Sequence, residues 1–386
     1  MDARPSRAGP NLTENPLRIL YVTPRYLPEI GGVEAHVHAV ASRLQAGGRA
    51  QVTVLTTDSG GGLRSEDHDG EIPIRRVSAH PRGRDWRFAP GLGRVIRDGG
   101  WDLVHVQSYH TFVAPMAMAA AARARIPYVV TFHGGGHSDP LRHRVRGLQR
   151  ALLRPWLARA AALVAIAQFE IDEYAPALSL ARGRFTLIPN GFDLPAPPQG
   201  ASPQAQPDGA GPLIVSLGRL ERYKGHQYAI AALPHVLAEE PDARLWIAGS
   251  GPYEEQLRRQ AAQLGLTERV EISSVPLGER AELARRLAAV DLAVAFSEFE
   301  SHPIAALEVL ALGRPLLVAG GSGLGELAAN GFARAIDPRG SAQDTAAAIV
   351  RELRDPHTPP PTRFPTWDDC ADALLALYRR ILGAPA

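Results

Sequence analysis

The feature that most constrains the fold is a series of short apolar runs alternating with segments of helical periodicity, and the chain contains this series twice. The first series starts with RILYVTP at residues 18–24, and the second starts with PLIVSLG at residues 212–218. Strands buried on both faces of a parallel sheet read as continuous apolar runs, and helices connect them. Each series therefore predicts a doubly wound, parallel α/β sheet.

The two series are separated by PAPPQGASPQAQPDGAGP, residues 195–212, which is rich in proline and glycine and has no periodic apolar face. Such a segment is typical of a linker. A chain of 386 residues also exceeds the size at which one hydrophobic core usually stops growing. The sequence therefore predicts two domains, 18–194 and 213–365. We also expect a disordered tail at 1–17 and an amphipathic helix within 366–386.

Composition disfavours several classes of protein. A formal net charge of +2 and a hydrophobic fraction of 45% are those of an ordinary globular protein, and they argue against broad nucleic-acid binding. The single cysteine, Cys370, rules out an intrachain disulfide and leaves no cysteine cluster with zinc-ligand spacing. No apolar run approaches the roughly 18 to 20 residues that span a bilayer, and the tail lacks the apolar core of a signal peptide. We therefore expect a cytoplasmic protein without a metal and without a nucleic-acid partner.

Polar residues follow several predicted strands, at the edge where open parallel sheets bind ligands. The segment EFESHPIAALEVLALGRP, residues 298–315, places Glu300 just before a short predicted helix and Glu308 on that helix. Their carboxylates could accept hydrogen bonds from sugar or ribose hydroxyls, and the helix N-terminus could bind a phosphate. Two solvated surface charges explain the same spacing, so spacing alone does not decide between the two interpretations.

Three other strand-end loops carry candidate ligand-binding groups. Arg219 and Lys224 in SLGRLERYKGHQ could neutralise a diphosphate, although solvated loops also contain such cations. Gly31 and Gly32 precede a predicted helix and would let a ligand approach the backbone, although a plain turn explains them equally well. His133 in TFHGGG could bond to a sugar hydroxyl, whereas a strand-end histidine more often has a structural partner.

Two glycine-rich segments argue against a dinucleotide-binding enzyme. IAGSGPYEE and VAGGSGLGELAANG follow predicted strands, but Glu254 and Glu326 occupy the third glycine position of G-x-G-x-x-G. The pattern therefore disfavours a nicotinamide-dependent dehydrogenase. The sequence also contains no P-loop, no G-x-S-x-G nucleophile elbow and no H-E-x-x-H zinc motif.

Taken in order along the chain, these segments resemble the family-four retaining glycosyltransferases of the GT-B fold. The resemblance covers nearly the whole chain and is strongest in ESHPIAALEVLALGRPLLV, which has the family's E-x7-E spacing. It rests also on ILYVTPRYLPEIGGVEAHV, DLVHVQ, VVTFHG, TLIPNGFD, SLGRLERYKGH, IAGSGPYEEQL and FPTWDDCADALLALYRRIL. It implies two Rossmann-like domains facing each other across a cleft, with the acceptor on the first and the nucleotide sugar on the second. It further implies that the helix within 366–386 crosses back to the first domain.

The resemblance implies a role for each matching residue. Arg219 and Lys224 match the pair that binds the donor diphosphate, and His133 matches a histidine near the reaction centre. Glu300 and Glu308 match glutamates placed against the donor sugar and the ribose. We therefore expect four of these residues to be catalytic: His133, Arg219, Lys224 and Glu300. The expected donor-binding residues are Gly31, Gly32, Arg219, Lys224, Glu300, Ser301, His302, Pro303, Ile304 and Glu308.

One segment departs from the family pattern. Where the family commonly has Gly-Phe-Gly or Ser-Phe-Gly after the first glutamate, this chain has Ser301, His302 and Pro303. Proline has no N–H to donate, so one familiar backbone contact to the donor is absent or moved. His302 is the candidate for its replacement, which leaves the identity of the donor sugar open.

The implied reaction is a metal-independent transfer of a sugar from a UDP or GDP sugar to an acceptor hydroxyl, with retained anomeric configuration and no cofactor besides this co-substrate. Two alternatives stay open. One is a nucleotide-sugar epimerase or a phosphorylase on the same fold, although no lysine stands out as a pyridoxal ligand. The other is a nucleotide-sugar-binding protein without catalysis, which the intact set of Arg219, Lys224, Glu300 and Glu308 disfavours.

The sequence does not specify the acceptor. The segment LRHRVRGLQRALLRPWLARA, residues 141–160, mixes arginines with leucines, as a helix at a membrane surface does. We favour an arginine-coated helix that lies on its own domain, and peripheral membrane contact through this segment is the other interpretation. Small-molecule, natural-product and lipid-linked acceptors therefore all stay open.

Overall fold

The computed structural model describes residues 16–29, 31–82, 87–134, 140–195, 211–276, 278–360 and 362–383, without the side chains of 140–146. Most of the predicted tail 1–17 and most of the predicted linker 195–212 lie outside the described residues. The described part of the chain folds around two separate β-sheets.

The first sheet has eight strands in the order β3-β4-β2-β1-β5-β6-β7-β8. All of its pairings are parallel except that of β3 with β4, which is antiparallel. Apolar runs do not predict β3, because it is an exposed edge strand with the sequence EDHD. The strands are β1 Leu17–Val22, β2 Ala50–Asp58, β3 Glu66–Asp69, β4 Ile72–Ser78, β5 Leu103–Gln107, β6 Tyr128–Thr131, β7 Ala162–Ala165 and β8 Phe185–Leu187. The helices are α1 Gly32–Ala46, α2 Leu92–Asp98, α3 Val113–Ala124, α4 Pro140–Arg159 and α5 Gln168–Ala177.

The second sheet has six parallel strands in the order β11-β10-β9-β12-β13-β14. Its strands are β9 Leu213–Leu217, β10 Arg244–Ala248, β11 Val270–Ser273, β12 Leu292–Ala295, β13 Leu316–Ala319 and β14 Arg334–Ile336. Its helices are α6 His226–Glu239, α7 Glu254–Gln263, α8 Arg280–Ala288, α9 Ile304–Ala311, α10 Ser322–Ala329 and α11 Ala342–Arg354. The predicted α/β class, with two doubly wound parallel sheets, is confirmed.

Both faces of each sheet are covered, which is why the strands read as continuous apolar runs. In β1, Leu20 and Val22 belong to the core beneath α2 and α3, whereas Ile19 and Tyr21 belong to the core beneath α1. Successive side chains of a strand point to opposite faces, so a strand between two cores has no polar face. The same reasoning applies to β9, where Ile214 and Val215 enter different cores.

The last helix, α12 Trp367–Leu382, packs on the first sheet beside α1. It begins with a capping box, in which Thr366 and Asp369 each accept the other's backbone N–H. Its Tyr378 hydroxyl lies 2.7 Å from the Tyr21 hydroxyl and 2.6 Å from Nδ1 of His105. The chain therefore returns from the second sheet to the core of the first.

Candidate active site

The carboxyl ends of the two sheets meet at a cleft. The loop after β6 contains His133 and Gly134, and the loop after β12 contains Glu300 and Ser301. The Ser301 hydroxyl donates to the Gly134 carbonyl at 2.7 Å, which joins the two loops directly. Strand-end loops of parallel sheets are the usual ligand sites of such folds, and here the two sets face each other.

Lys224 and Glu300 form an ion pair at the carboxyl end of the second sheet. The Ser297 hydroxyl donates to the same carboxylate at 3.1 Å, and Ser322 Oγ accepts the Glu300 N–H at 3.0 Å. Burial lowers the pKa of the Lys224 ammonium, but the neighbouring Glu300 carboxylate and Tyr223 raise it by more. The lysine is therefore a fixed cation with an anionic partner already in place.

Arg219 lies at the rim of this site. Its side chain is 52% exposed and pairs with Glu221 at 3.0 Å. It is also close enough across the cleft to lower the pKa of Glu34, a carboxyl on α1 whose pKa burial raises overall. Arg219 is close to Lys224 in the sequence, but in the structure it lies outside the Lys224–Glu300 ion pair.

Glu308 lies on α9, is buried, and pairs with Arg280 at the start of α8. Burial raises the pKa of Glu308, and Arg280 opposes that change only in part. Arg280 also donates to the Asp193 carbonyl at 2.9 Å, close to the end of the first domain. A buried carboxylate is costly unless it is paired, and Arg280 supplies the pair. The spacing of the two glutamates does not predict this partner, because Arg280 lies in another segment of the chain.

His133 lies on the opposite wall, in the left-handed backbone region with φ 43°. Its Nε2 is 2.7 Å from Oε1 of Gln107 on β5. Burial, helped by the neighbouring His36, holds the pKa of His133 well below its usual value. Because a neutral imidazole bonded to a carbonyl oxygen carries its proton on that nitrogen, Nδ1 of His133 is a hydrogen-bond acceptor.

His36, on α1, is a site residue that the sequence did not reveal. Its ring lies 4.6 Å from that of His133, and its Nδ1 is 2.8 Å from Oδ1 of Asn190. Burial lowers the pKa of His36 to about 4, so its Nε2 also carries a lone pair. That nitrogen has no hydrogen-bond partner among the described residues. The only sequence signal was a polar residue beside the apolar stripe of a helix.

Gly31 and Gly32 begin α1 beside the cleft. A Cβ on Gly32 would enter open space, so protein packing does not require glycine there. A Cβ on Gly31 would instead collide with the carboxylate of Glu34, which is buried and pairs with Arg25 at 3.2 Å. Gly32 therefore leaves its backbone open to approach from the cleft.

The unusual segment after Glu300 contacts both sides of the cleft. Pro303 caps α9, Ile304 packs against the core of the first sheet, and Ile304 N–H donates to the His302 carbonyl at 3.0 Å. Burial, then the nearby His36, lowers the pKa of His302 to about 4. Nδ1 of His302 has no partner within the described part of the chain. His302 therefore lies near His36, where the two sides of the cleft meet.

Two features bear on metals and membranes. Among the described residues, no group of three or more histidine, cysteine, aspartate or glutamate side chains is arranged to hold a metal ion. No helix in the described ranges combines the length and the apolar character needed to cross a bilayer.

Comparisons with known proteins match both halves of the chain. The family model described as Glycosyltransferase Family 4 matches residues 30–195, and that of Glycosyl transferases group 1 matches residues 201–364. A glycogen synthase of Mycobacterium tuberculosis is 30% identical over 369 residues, covering 88% of this chain and 87% of that protein. A GDP-mannose:cellobiosyl-diphosphopolyprenol alpha-mannosyltransferase of Xanthomonas oryzae is 30% identical, with 77% of each chain covered.

Solved structures share the fold at lower sequence identity. Sucrose-phosphate synthase from Thermosynechococcus elongatus superposes with a TM-score of 0.71 at 19% identity, covering 95% of this chain and 96% of the other. The Anabaena protein HepE, solved in complex with UDP, gives a TM-score of 0.68 at 20% identity and covers 95% and 98%. The two-domain arrangement of these proteins, the GT-B fold, is the arrangement of this chain.

Proposed function

The chain belongs to the group 1 glycosyl transferases, and we propose that it transfers a sugar from a UDP or GDP sugar to an acceptor hydroxyl, with retention and without a metal. The observation that supports this most directly is the Lys224–Glu300 ion pair, in a segment that the Ser301–Gly134 hydrogen bond joins to the loop containing His133. A fixed cation and a fixed carboxylate beside neutral imidazoles suit a ligand with an anionic half and a hydroxylated half.

In the proposed reaction, the bond between the anomeric carbon and the diphosphate oxygen breaks, and the acceptor oxygen bonds to the same face of that carbon. The acceptor proton passes to the departing diphosphate, so the products are the glycoside and the nucleoside diphosphate. Negative charge grows on the leaving group, and Lys224 and Arg219 stabilise it. Closure of the two domains excludes water from the bond being broken.

Donor binding exchanges the partners of the existing ion pairs. Lys224 turns to the diphosphate, and the Glu300 carboxylate accepts hydrogen bonds from the donor sugar. Glu308 accepts the ribose hydroxyls while Arg280 stays bonded to Oε1. We infer that hydroxyls of the donor sugar supply the missing hydrogen bonds of His36 and His302, whose Nε2 and Nδ1 atoms have no partner among the described residues.

The acceptor is the least specified partner. One relative is named for a lipid-linked acceptor and another, a phosphatidyl-myo-inositol mannosyltransferase of Mycolicibacterium smegmatis, for a lipid, at 28% identity. In α4, Leu153 and Leu157 are buried in the first domain, whereas Leu148 and Leu152 are 65% and 66% exposed. The helix therefore both lies on its own domain and presents apolar side chains outward, which supports peripheral membrane contact.

Calorimetric titration without metal tests the donor site. We expect one of UDP, GDP, ADP and dTDP to bind with micromolar affinity, and both Arg219→Ala and Glu308→Ala to weaken binding. Release of that nucleoside diphosphate from the matching sugar donor then distinguishes a transferase from an epimerase, which releases none, and from an inactive binding protein. Absence of binding by all four nucleotides, or unchanged affinity in both variants, would remove the main support for the proposal.

A further inference from the structure

Glu170 is a completely buried carboxyl on α5, beside the cleft but outside the expected site. One of its oxygens accepts the backbone N–H of Gly134 at 2.5 Å, and the other accepts the N–H of Ile166 at 2.9 Å. Burial raises the pKa of Glu170 to about 7, although both N–H groups favour the ionised form. Burying a carboxyl is costly unless it is hydrogen-bonded, and these two backbone N–H groups offset that cost.

Gly134 is held from both domains through its two peptide groups. Its N–H donates to Glu170 of the first domain, and its carbonyl accepts from Ser301 of the second. The fit is close, since a Cβ on Gly134 would lie 2.7 Å from the Tyr174 hydroxyl and 3.0 Å from Oε1 of Glu170. Movement of Glu170 would therefore move the peptide that links His133 to the Glu300 segment.

His133 needs such support because its backbone is in the left-handed region. A bulky residue in that region is strained and persists only where its surroundings fix it. Gln107 fixes the ring of His133, but the backbone that follows the ring is fixed at Gly134.

We propose that Glu170 is a positioning residue: it holds the Gly134 peptide so that His133 and the Glu300–Ser301 segment keep their places when the domains close. The assignment rests on the proposed function for its catalytic consequence. The alternative is that Glu170 only caps its own helix. In a capping box, a glutamate in the first turn accepts an N–H near the helix start. The Ile166 bond is of that kind, whereas the Gly134 bond reaches another loop.

Hydrogen exchange tests the structural half of this proposal without a substrate. Glu170→Gln keeps the size of the side chain but brings an amide N–H₂ against one of the two backbone donors. We expect exchange in the peptide covering 131–134 to accelerate at least tenfold in this variant. The matched control is Glu173→Gln on the same helix, where the carboxylate instead pairs with Arg150 at 2.9 Å. Unchanged exchange in E170Q, or equal acceleration in E173Q, would overturn the assignment.

Turnover tests the catalytic half, with slow hydrolysis of the bound nucleotide sugar as the assay because it needs no acceptor. A misplaced reacting group costs up to about 100-fold in rate, so we expect kcat to fall 10- to 100-fold in E170Q and in Ser301→Ala. In E170Q the dissociation constant of the nucleotide should stay within twofold, because Glu170 lies on the other domain; no such expectation holds for Ser301→Ala, since Ser301 is an expected donor-binding residue. Equal losses of kcat and nucleotide affinity would contradict positioning. If the wild type neither binds nor hydrolyses any nucleotide sugar, the proposed function fails, and the exchange experiment still decides whether Glu170 holds the loop.

Discussion

The two walls of the cleft differ in charge. The wall from the second domain carries the ion pairs Lys224–Glu300 and Arg280–Glu308. The wall from the first domain presents His36 and His133, whose pKa values burial holds below their usual range. We call the side with these two ion pairs the ionic wall and the side with the two imidazoles the neutral wall. The first domain also carries the Arg25–Glu34 ion pair, beside the start of α1.

This difference suits two different demands of the proposed reaction. The departing diphosphate gains negative charge, which fixed cations in a site of low dielectric stabilise strongly. The anomeric carbon gains positive charge at the same time, and an imidazolium beside it would oppose that change. Neutral imidazoles can bond to sugar hydroxyls without this penalty. We infer that burial keeps the imidazoles of His36 and His133 uncharged at neutral pH.

The largest expected effect comes from breaking the ionic wall. Lys224→Met keeps most of the aliphatic side chain, removes the cation and leaves Glu300 without its ion-pair partner. Loss of one preorganised group that stabilises a developing anion costs about 100- to 1,000-fold in kcat. We expect a loss of that size, with weaker nucleotide binding, measured by steady-state kinetics and calorimetry.

Arg222→Met is the matched control for this prediction. Arg222 lies two residues earlier, in the same 3₁₀ turn, and is exposed. Its substitution changes the net charge equally, so a comparable loss of turnover there would show that overall charge, and not the Lys224–Glu300 pair, drives the reaction.

An intermediate effect is expected from the neutral wall. His36→Phe keeps a ring against His133 and Trp367, which lie 4.6 Å and 5.7 Å away between ring centres, but removes both nitrogens. A hydrogen bond worth about 1 kcal/mol corresponds to roughly fivefold in rate. We expect kcat to fall by about that factor while nucleotide affinity stays unchanged, in contrast to the Lys224 variant.

The same variant has a pH signature in stability. The pKa of His36 is about 4 in the folded protein and near 6.5 in the unfolded chain. Between these values the unfolded state binds the extra proton, so the contribution of His36 lowers stability as pH falls from about 6.5 to 4. We expect the Tm of the His36→Phe variant to fall less steeply over that window. A variant whose Tm falls as steeply as that of the wild type over this window would contradict the prediction.

The contrast between the walls also explains what the sequence revealed. The ionic wall could be proposed from the sequence because Lys224, Glu300 and Glu308 lie in short segments directly after strands, and because those segments resemble motifs of a known family. Spacing and strand-end position alone did not decide their role. The neutral wall could not be proposed in this way, because His36, Gln107 and Asn190 lie in three separate segments of the chain and meet only in the folded domain. His133 was a candidate because of its strand-end position, but its left-handed backbone and neutral state are consequences of packing.

Glu326 also has a contact that the folded structure shows and the sequence pattern does not. From the sequence it only breaks a dinucleotide-binding motif, since it replaces the third glycine. In the structure its carboxylate crosses from α10 to the start of α5 and accepts the Phe169 N–H at 2.8 Å. The neighbouring rings of Phe169 and Phe299 lie 5.5 Å apart across the same contact. Glu326 is thus an anion at the N-terminus of a helix of the opposite domain, where the helix dipole favours it.

The smallest expected effect comes from weakening the closure of the two domains at Glu326. A carboxylate at a helix N-terminus contributes about 0.3 to 1 kcal/mol, so Glu326→Gln should lower kcat/KM two- to fivefold by weakening the closed state. Nucleotide affinity should stay unchanged, because Glu326 approaches the first domain. The control is Glu254→Gln, at the equivalent position of the other glycine-rich segment, whose carboxylate pairs with Arg258 on its own helix. An E326Q variant with wild-type kcat/KM and an unchanged radius of gyration in solution would show that Glu326 does not help to hold the two walls together.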